Sequence, residues 1–173
     1  TTLTATGSSD AGVWSSSNGA VATVGTTGIV SGVAPGTSSI LYTVTNGCGS
    51  AVDSVEVTVN PLPSAGTISG SSVVCATATT TLSSTVGGGV WSSSNTSVAT
   101  IGTNGVVTGI AAGNATISYA HSNSCGTAYA TQVVTVNPLP VAGTISGTAV
   151  VCATSTTALS NTATGGVWSS GSP

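Results

Sequence analysis

The sequence predicts an all-β protein built from tandem β-sandwich repeats of 77 residues. Three observations support this prediction. The residues Trp14, Trp91 and Trp168 are spaced 77 apart, and many other residues obey the same offset. Short runs rich in Val, Ile and Thr alternate with turns that contain Gly, Asn and Ser. No stretch shows the 3.6-residue apolar period of an amphipathic helix.

Composition excludes several classes of function. The chain has 173 residues, no Lys or Arg, three acidic residues and one His, for a formal net charge of −3. A chain without cations cannot neutralise phosphates, which excludes nucleic-acid binding as a main function. Hydrophobic residues make up 39% of the chain, too many for a disordered protein. No run approaches the roughly 18 apolar residues of a membrane-spanning helix, so no membrane insertion is expected.

Self-alignment defines the repeats. Residues 14–96 and 91–173 are identical at 50 of 83 positions, and Pro61-Leu62-Pro63 recurs as Pro138-Leu139-Pro140. The predicted domains are a first repeat that lacks its first strand, a complete second repeat and the N-terminal part of a third: residues 1–60, 61–137 and 138–173. Because both ends interrupt a unit and leave unpaired strand edges, we expect that the segment does not fold as an isolated monomer with three complete domains.

Within the complete repeat, the strands are the β-branched runs between turn residues. Glycine-rich segments at 87–89 and 102–105 mark two of the turns. The expected strand regions lie at 67–69, 73–75, 79–83, 90–92, 98–101, 106–108, 115–119 and 129–136.

Aromatic residues recur at fixed places in this pattern. One Trp in each repeat falls on the same strand, which fits an aromatic residue packed between two sheets. The sequence therefore predicts Trp14, Trp91 and Trp168 as core residues. Tyr42 and Tyr119 could stack on a sugar, but a tyrosine near the end of the penultimate strand is more typical of a core or corner position.

The linker between repeats has the sequence Asn-Pro-Leu-Pro-Ser at residues 60–64. Two prolines in three residues favour an extended backbone and a stiff junction. Stiff junctions between near-identical domains produce a rod, whereas a flexible tether is typically made of Gly and Ser.

The second repeat contains a motif that resembles the bacterial Ig-like domain (group 2). The motif reads G-V-W-S-S-S-N at residues 89–95, then V-A-T-I at 98–101, followed by Gly105, Gly109 and Gly113. The first repeat carries W-S-S-S-N at 14–18 and V-A-T-V at 21–24. The resemblance implies an Ig-like sandwich of the kind found in adhesins and surface stalks, without catalysis. The cysteines and the linker look like the tandem arrays of large secreted surface proteins of Bacteroidetes-type bacteria.

Four cysteines without a CxxC motif are more typical of disulfides than of metal ligands. Cys75 and Cys125 belong to the one complete repeat, which predicts a Cys75–Cys125 bond with Cys48 and Cys152 paired outside this chain. In a plain Ig topology, however, Cys75 and Cys125 would lie at opposite ends of the sandwich. The alternative is a bond between the Cys75-type turn of one repeat and the Cys125-type hairpin of the next. Either kind of disulfide places the protein outside the cytosol.

The ionisable residues do not form a recurring constellation. The acids are Asp10, Asp53 and Glu56, and the one histidine is His121. Asp53 and Glu56 are three residues apart, so on a strand they point to opposite faces and cannot share a pocket. The sister-repeat counterparts of Asp53, Glu56 and His121 are Ala130, Val133 and Val44. We therefore expect no catalytic residue, no cofactor and no metal site.

The high content of Ser and Thr on a nearly uncharged chain suggests covalent glycans or self-association as a route to solubility or function. Asp53-Ser54-Val55 resembles the O-glycosylation motif of Bacteroidetes-type bacteria, which makes Ser54 a candidate. Asn95 and Asn114 begin formal N-x-S/T sequons, which are alternatives of low specificity. Unmodified strand surface is the competing interpretation.

These observations favour a structural repeat unit of an extracellular bacterial filament or adhesin stalk. Its expected partners are neighbouring copies or repeats of the same protein, with covalent glycans as an addition. The alternative is a glycan- or surface-binding Ig-like module. A loop that differed sharply between repeats would favour that alternative, and the high identity between repeats argues against it.

Overall fold

A computed structural model of the chain describes residues 1–6 and 11–171. Every regular element within these ranges is a β-strand, which confirms the all-β prediction. None of the described elements is a helix long and apolar enough to cross a membrane. Asp10 lies outside the described residues.

The first repeat contains a three-stranded antiparallel sheet in the order β1-β4-β5 and a separate hairpin of β2 and β3. An isolated bridge pairs Thr2 with Ile29, and the Leu3 amide donates to the Gly28 carbonyl over 2.9 Å. The Leu82 amide donates to the Gly105 carbonyl over the same distance, so the same long-range hydrogen bond is present in both repeats. The strands are β1 (Gly12–Ser16), β2 (Ala22–Val24), β3 (Val30–Gly32), β4 (Gly36–Asn46) and β5 (Gly49–Val59).

The second repeat forms a four-stranded sheet in the order β10-β13-β14-β7, a three-stranded sheet in the order β11-β12-β8 and a short β6-β9 pair. Strand β7 runs parallel to the end of β14, with Cys75 opposite Asn137. The strands are β6 (Ile68–Ser69), β7 (Val73–Cys75), β8 (Thr79–Thr81), β9 (Ser83–Ser84), β10 (Val90–Ser93), β11 (Ala99–Ile101), β12 (Val106–Gly109), β13 (Gly113–Asn123) and β14 (Gly126–Asn137).

The described part of the third repeat contains one antiparallel pair, β15 (Ile145–Gly147) and β16 (Leu159–Asn161). Its Ser146 and Ser160 hydroxyls lie 2.8 Å apart. The equivalent Ser69 and Ser83 hydroxyls of the β6-β9 pair lie 3.0 Å apart. The same sequence therefore forms the same local pairing in both repeats.

The chain forms two compact units. The first takes in residues 1–69 with Ser83–Trp91 and Ser118–Thr131, and its core contains Ala22, Val30 and Ile40. The second takes in Gly70–Leu82, Ser92–Ile117 and the residues from Gln132 onwards. Its buried hydrophobic residues are Val74, Leu82, Ala99, Val107, Ala115, Ile117, Val134 and Val136.

Burial along the long strands follows the period of two that the sequence shows. On β13, Ala115, Ile117 and Tyr119 are buried while their neighbours are more exposed, because successive side chains point to opposite faces of the sheet. Valines 134 and 136 do the same on β14. Apolar burial of this kind is the main stabilising contribution to a small sandwich.

The expected strand over 79–83 is divided in the structure. Residues 79–81 form β8 and pair with β12, whereas Ser83 and Ser84 form β9 and pair with β6. Leu82, between them, is 1% exposed. A continuous β-branched run predicts one strand, but burial of Leu82 coincides with a change of sheet, which the local pattern does not reveal.

Candidate functional site

A Trp–Tyr pair recurs in the first two repeats. Trp14 on β1 lies directly opposite Tyr42 on β4, and their ring centroids are 4.7 Å apart with an interplanar angle of 50°. Trp91 and Tyr119 form the same pair at 4.6 Å and 50°. Tilted ring pairs at this distance stabilise a fold beyond the area they bury.

The tyrosine hydroxyl ties this pair to the backbone. Tyr119 is 4% exposed, accepts a hydrogen bond from the Gly89 amide at 2.7 Å and donates one to the Val86 carbonyl at 2.7 Å. Tyr42 accepts the matching bond from the Gly12 amide at 2.9 Å. The structure thus gives these tyrosines satisfied structural contacts, and Tyr119 no exposed face for a sugar.

Glycine precedes the Val-Trp pair in both repeats because the tyrosine ring lies against its backbone. A Cβ atom at Gly89 would lie 2.5 Å from Cζ of Tyr119, and one at Gly12 would lie equally tightly against Cζ of Tyr42. Both contacts are well below ordinary van der Waals separation, so any side chain there would displace the ring.

Gly89→Ala is therefore expected to destabilise the second repeat by about 1–3 kcal/mol, because the added methyl group overpacks the site under Tyr119. Urea denaturation measures the loss, and near-ultraviolet circular dichroism reports the altered Trp91–Tyr119 pair. Gly87→Ala is the matched control, since nothing lies within 4 Å of its Cβ position. Equal stability of the two variants would contradict this account of the glycine.

Trp168 is the tryptophan of the third repeat, for which a core position stays a prediction. It is 55% exposed, whereas Trp14 and Trp91 are partly buried. In the described residues, the Trp–Tyr ring pairs are those of Trp14 and Trp91.

The ionisable side chains are dispersed in the described residues. Asp53 and Glu56 are exposed on β5, opposite Tyr42 and Ser39, and the Asp53 carboxylate accepts the Ser54 amide at 2.8 Å. Nδ1 of His121 is buried and has no hydrogen-bond partner, so no described serine is bonded to it. No group of three or more His, Cys, Asp or Glu residues in the described ranges could hold a metal ion.

The glycosylation candidates Ser54, Asn95 and Asn114 are all exposed. Ser54 lies within β5, Asn114 lies near the start of β13, and Asn95 caps a turn by accepting the Ser97 amide on Oδ1 at 3.1 Å. Their exposure is compatible with modification, which stays a prediction.

The structure does not support the predicted Cys75–Cys125 bond. All four cysteines are free and exposed. Cys125 immediately precedes β14, whereas Cys75 pairs with Asn137, the last residue of that 12-residue strand. A strand of this length spans about 40 Å, and a disulfide requires Cα atoms less than about 7 Å apart. The length of β14 therefore separates the two thiols.

The tip of the β13–β14 hairpin lies on the linker. Nδ2 of Asn123 donates to the Pro61 carbonyl at 2.9 Å, and the Cys125 thiol donates to the Asn60 carbonyl with Sγ 3.8 Å from the oxygen. Asn123 also accepts the Cys125 amide on Oδ1 at 2.8 Å, which fixes the tip. We call Asn60, Pro61, Asn123 and Cys125 the linker contact, and it is the candidate functional site.

Sequence reasoning did not single out Asn123. The signal available was its recurrence as Asn46, two residues before Cys48, where Oδ1 accepts the Cys48 amide at 2.9 Å. Recurrence identifies the tip conformation, but nothing local indicates that Nδ2 of Asn123 bonds to a linker 62 residues earlier.

The family profile described as bacterial Ig-like domain (group 2) matches residues 1–59 and 51–134. The chain belongs to this family. The match confirms the family resemblance and, with the strand structure, the Ig-like fold class. The origin in Bacteroidetes-type bacteria stays a prediction. A comparison with curated protein sequences gave no match.

Solved structures similar to this group 2 Ig-like chain include domains 1–6 of the surface layer protein SbsC, at 21% identity and a TM-score of 0.32 over 80% of this chain and 22% of that one. The C-terminal 282-residue fragment of intimin, in complex with the intimin-binding domain of its translocated receptor, is 19% identical with a TM-score of 0.42 (79% and 53% covered). A SusE-like surface-located polysaccharide-binding protein from Bacteroides thetaiotaomicron is 13% identical with a TM-score of 0.33 (75% and 29% covered). The chain thus spans about a fifth of the first of these proteins.

The W-S-S-S-N motif of this group 2 Ig-like chain serves the fold. Its second serine donates to a backbone carbonyl at the start of the next strand, from Ser16 to Ala22 at 2.6 Å and from Ser93 to Ala99 at 2.7 Å. Its asparagine accepts an amide two residues ahead, as Asn95 does, and this bond closes the turn. These hydrogen bonds give the motif a structural role.

Proposed function

We propose that the chain is a structural repeat segment of an extracellular bacterial filament or adhesin stalk, with a mechanical role and no catalysis. The observation that carries the proposal is the linker contact. A hairpin tip that hydrogen-bonds to the carbonyls of Asn60 and Pro61 restricts the hinge that the linker would otherwise be. A stalk needs such restriction, since free hinges would let it collapse.

The linker sequence and the repeat support the same role. Prolines 61 and 63 restrict the backbone, and the hairpin restricts it further. Strand β14 has 12 residues and is about 40 Å long, so each repeat adds considerable length with few residues. Near-identity of the repeats is expected when each performs the same mechanical task, and neighbouring repeats or copies are then the natural partners.

A glycan- or surface-binding module is the second candidate, and one cavity favours it. This cavity in the first repeat holds about 450 Å³ and is bounded by Trp14, Tyr42, Asp53 and Thr4 among other residues. Aromatic rings beside polar groups are a common sugar-binding arrangement. Titration of the chain with oligosaccharides, followed by Trp14 fluorescence, separates the candidates, since the structural role expects no saturable change.

Electron microscopy of intact cells tests the structural proposal. Antibodies raised against residues 61–137 are expected to label extended structures that project from the cell surface. Labelling confined to the cell interior, or to a surface without any extended structure, would overturn the proposal. Cells that lack the gene provide the control for antibody specificity.

Asn123→Asp tests the linker contact itself. The aspartate keeps an oxygen to accept the Cys125 amide but replaces the donor to Pro61 with an acceptor, so the linker bond is lost at a cost of about 1 kcal/mol. NMR relaxation is expected to show that the first two repeats reorient more independently. Asn104→Asp is the matched control, because Asn104 Oδ1 accepts the Val106 amide in a turn away from the linker. Unchanged relaxation in Asn123→Asp would contradict a restricted hinge.

A separate prediction is that the native protein carries covalent glycans. Mass spectrometry of peptides from native material is expected to show glycan adducts, as masses above those calculated from the sequence, on peptides that contain Ser54, Asn95 or Asn114. The same peptides from a host without the glycosylation machinery serve as the control. Unmodified masses for all three native peptides would refute the prediction.

A further inference from the structure

The linker asparagine is the common neighbour of both kinds of cysteine. Asn60 and Asn137 are 77 residues apart and occupy the same position in consecutive repeats. Each asparagine precedes a Pro-Leu-Pro linker. In an array of these repeats, the contacts seen at Asn60 are therefore expected at Asn137, and the contacts seen at Asn137 are expected at Asn60.

Cys75 lies at the asparagine that ends its own repeat. It pairs with Asn137 in the parallel ladder of β7 and β14, where neighbouring strands lie about 4.8 Å apart. The next amide, that of Ala76, donates to the Asn137 carbonyl at 2.8 Å, and the Thr77 amide donates to the Gly109 carbonyl at 2.8 Å. Two tertiary hydrogen bonds therefore hold the turn that presents the exposed Cys75 side chain.

Cys125 lies at the asparagine that ends the preceding repeat. Its Sγ is 3.8 Å from the Asn60 carbonyl oxygen, and the tip that carries it is fixed by Asn123. The Asn60 carbonyl is the counterpart of the Asn137 carbonyl that Ala76 binds. A Cys75-type turn and a Cys125-type hairpin thus converge on one carbonyl group from two successive repeats.

We infer that a disulfide joins the Cys75-type cysteine of each repeat to the Cys125-type cysteine of the next repeat across the Pro-Leu-Pro linker. Cys75 then bonds to the hairpin cysteine of the third repeat, which would be residue 202 by the offset of 77. Cys125 bonds to the Cys75-type cysteine of the preceding repeat, at the end of its β7-type strand. A disulfide requires Cα atoms about 4.4–6.8 Å apart, so the inference requires the two cysteines that meet at the linker asparagine to lie within that range.

Formation of the disulfide is an oxidation and therefore needs an oxidant. The two thiols lose their hydrogens and form one S–S bond, while two electrons and two protons pass to the disulfide of an extracytosolic thiol oxidant. That oxidant is either a dithiol–disulfide oxidase or a low-molecular-weight disulfide, and it is reduced to two thiols. The result is a covalent staple at every linker, beside the Asn123 hydrogen bond.

Peptide mapping of the native protein under non-reducing conditions tests the inference. Trypsin has no cleavage site in this chain, so a protease that cuts before Val, Ile and Leu is used, which also separates Cys48 from Cys75. The expected products join the Cys125 peptide to a peptide of the preceding repeat, and the Cys75 peptide to one beyond residue 173. A Cys75–Cys125 product, or alkylation of both cysteines without prior reduction, would overturn the inference.

Cys125→Ser in the native protein provides a second, independent measurement. Without its partner, the cysteine of the preceding repeat is expected to gain alkylation by at least about 10-fold, while Cys75 stays protected. Alkylation of Cys75 in this variant would show a bond within the repeat and overturn the inference. Denaturing gels without reductant show whether the neighbouring repeat belongs to the same polypeptide or to a second copy. Only bonds between polypeptides produce a ladder of multimer bands. Peptide mapping identifies the disulfide partners whether or not the protein forms a filament. Failure of this inference is therefore distinct from failure of the proposed function.

Discussion

Replacing Leu82 with alanine is expected to lower the free energy of unfolding of the second repeat by about 2–5 kcal/mol. This is the range observed when a fully buried leucine is truncated to alanine. Leu82 is 1% exposed and lies where the chain passes from β8 to β9. The substitution removes buried apolar surface and leaves a cavity that β-strands fixed in two pairings cannot close. Urea denaturation followed by Trp fluorescence, with hydrogen exchange to assign the transition to residues 70–137, measures the effect.

Leu62→Ala is the matched control. Leu62 lies in the linker and is 80% exposed. Its truncation is expected to change stability by less than about 0.5 kcal/mol, as for surface substitutions in general. Equal losses in the two variants would mean that burial does not determine the cost.

Tyr119→Phe is expected to cost about 1–3 kcal/mol, because the Gly89 amide and the Val86 carbonyl both lose their hydrogen-bond partner in a partly buried place. The ring and its contact with Trp91 remain, so the variant isolates the hydroxyl. Thermal unfolding measures the loss, and hydrogen exchange at Gly89 is expected to accelerate.

Tyr129→Phe controls for the chemistry of the same substitution. Tyr129 lies on β14 of the same repeat and is 69% exposed, so loss of its hydroxyl is expected to alter stability by less than about 0.5 kcal/mol. A Tyr119→Phe protein as stable as Tyr129→Phe would show that the two backbone bonds contribute nothing net.

Sequence alone predicted most strands of the complete repeat, because β-branched runs bounded by Gly and Asn have few alternatives to a strand. It misjudged the segment at 79–83, where the change of sheet at Leu82 depends on β12 partners 25 or more residues away and on β6 partners 14 or more residues away.

For the candidate site, sequence predicted a stiff linker from its prolines but did not identify the hairpin that binds it. The Asn123–Pro61 bond joins residues 62 apart in the chain, and only the folded sandwich brings the tip to the linker. The four cysteines show the same limit. The repeat pattern predicted a Cys75–Cys125 bond within the complete repeat and left a bond between repeats as the alternative, because spacing along the chain does not give the separation of the two residues in space.

The all-β class and the 77-residue repeat can be read from the sequence, because they follow from local side-chain alternation and self-similarity, neither of which depends on long-range contacts. The resemblance to the group 2 Ig-like family rests on the W-S-S-S-N and V-A-T motifs. The folded chain is needed to show that Cys75 and Cys125 lie at opposite ends of β14 and that each lies beside a linker asparagine. The parallel pairing of β7 with β14 closes a loop of about 60 residues, and loop closure of that length leaves no trace in a local pattern.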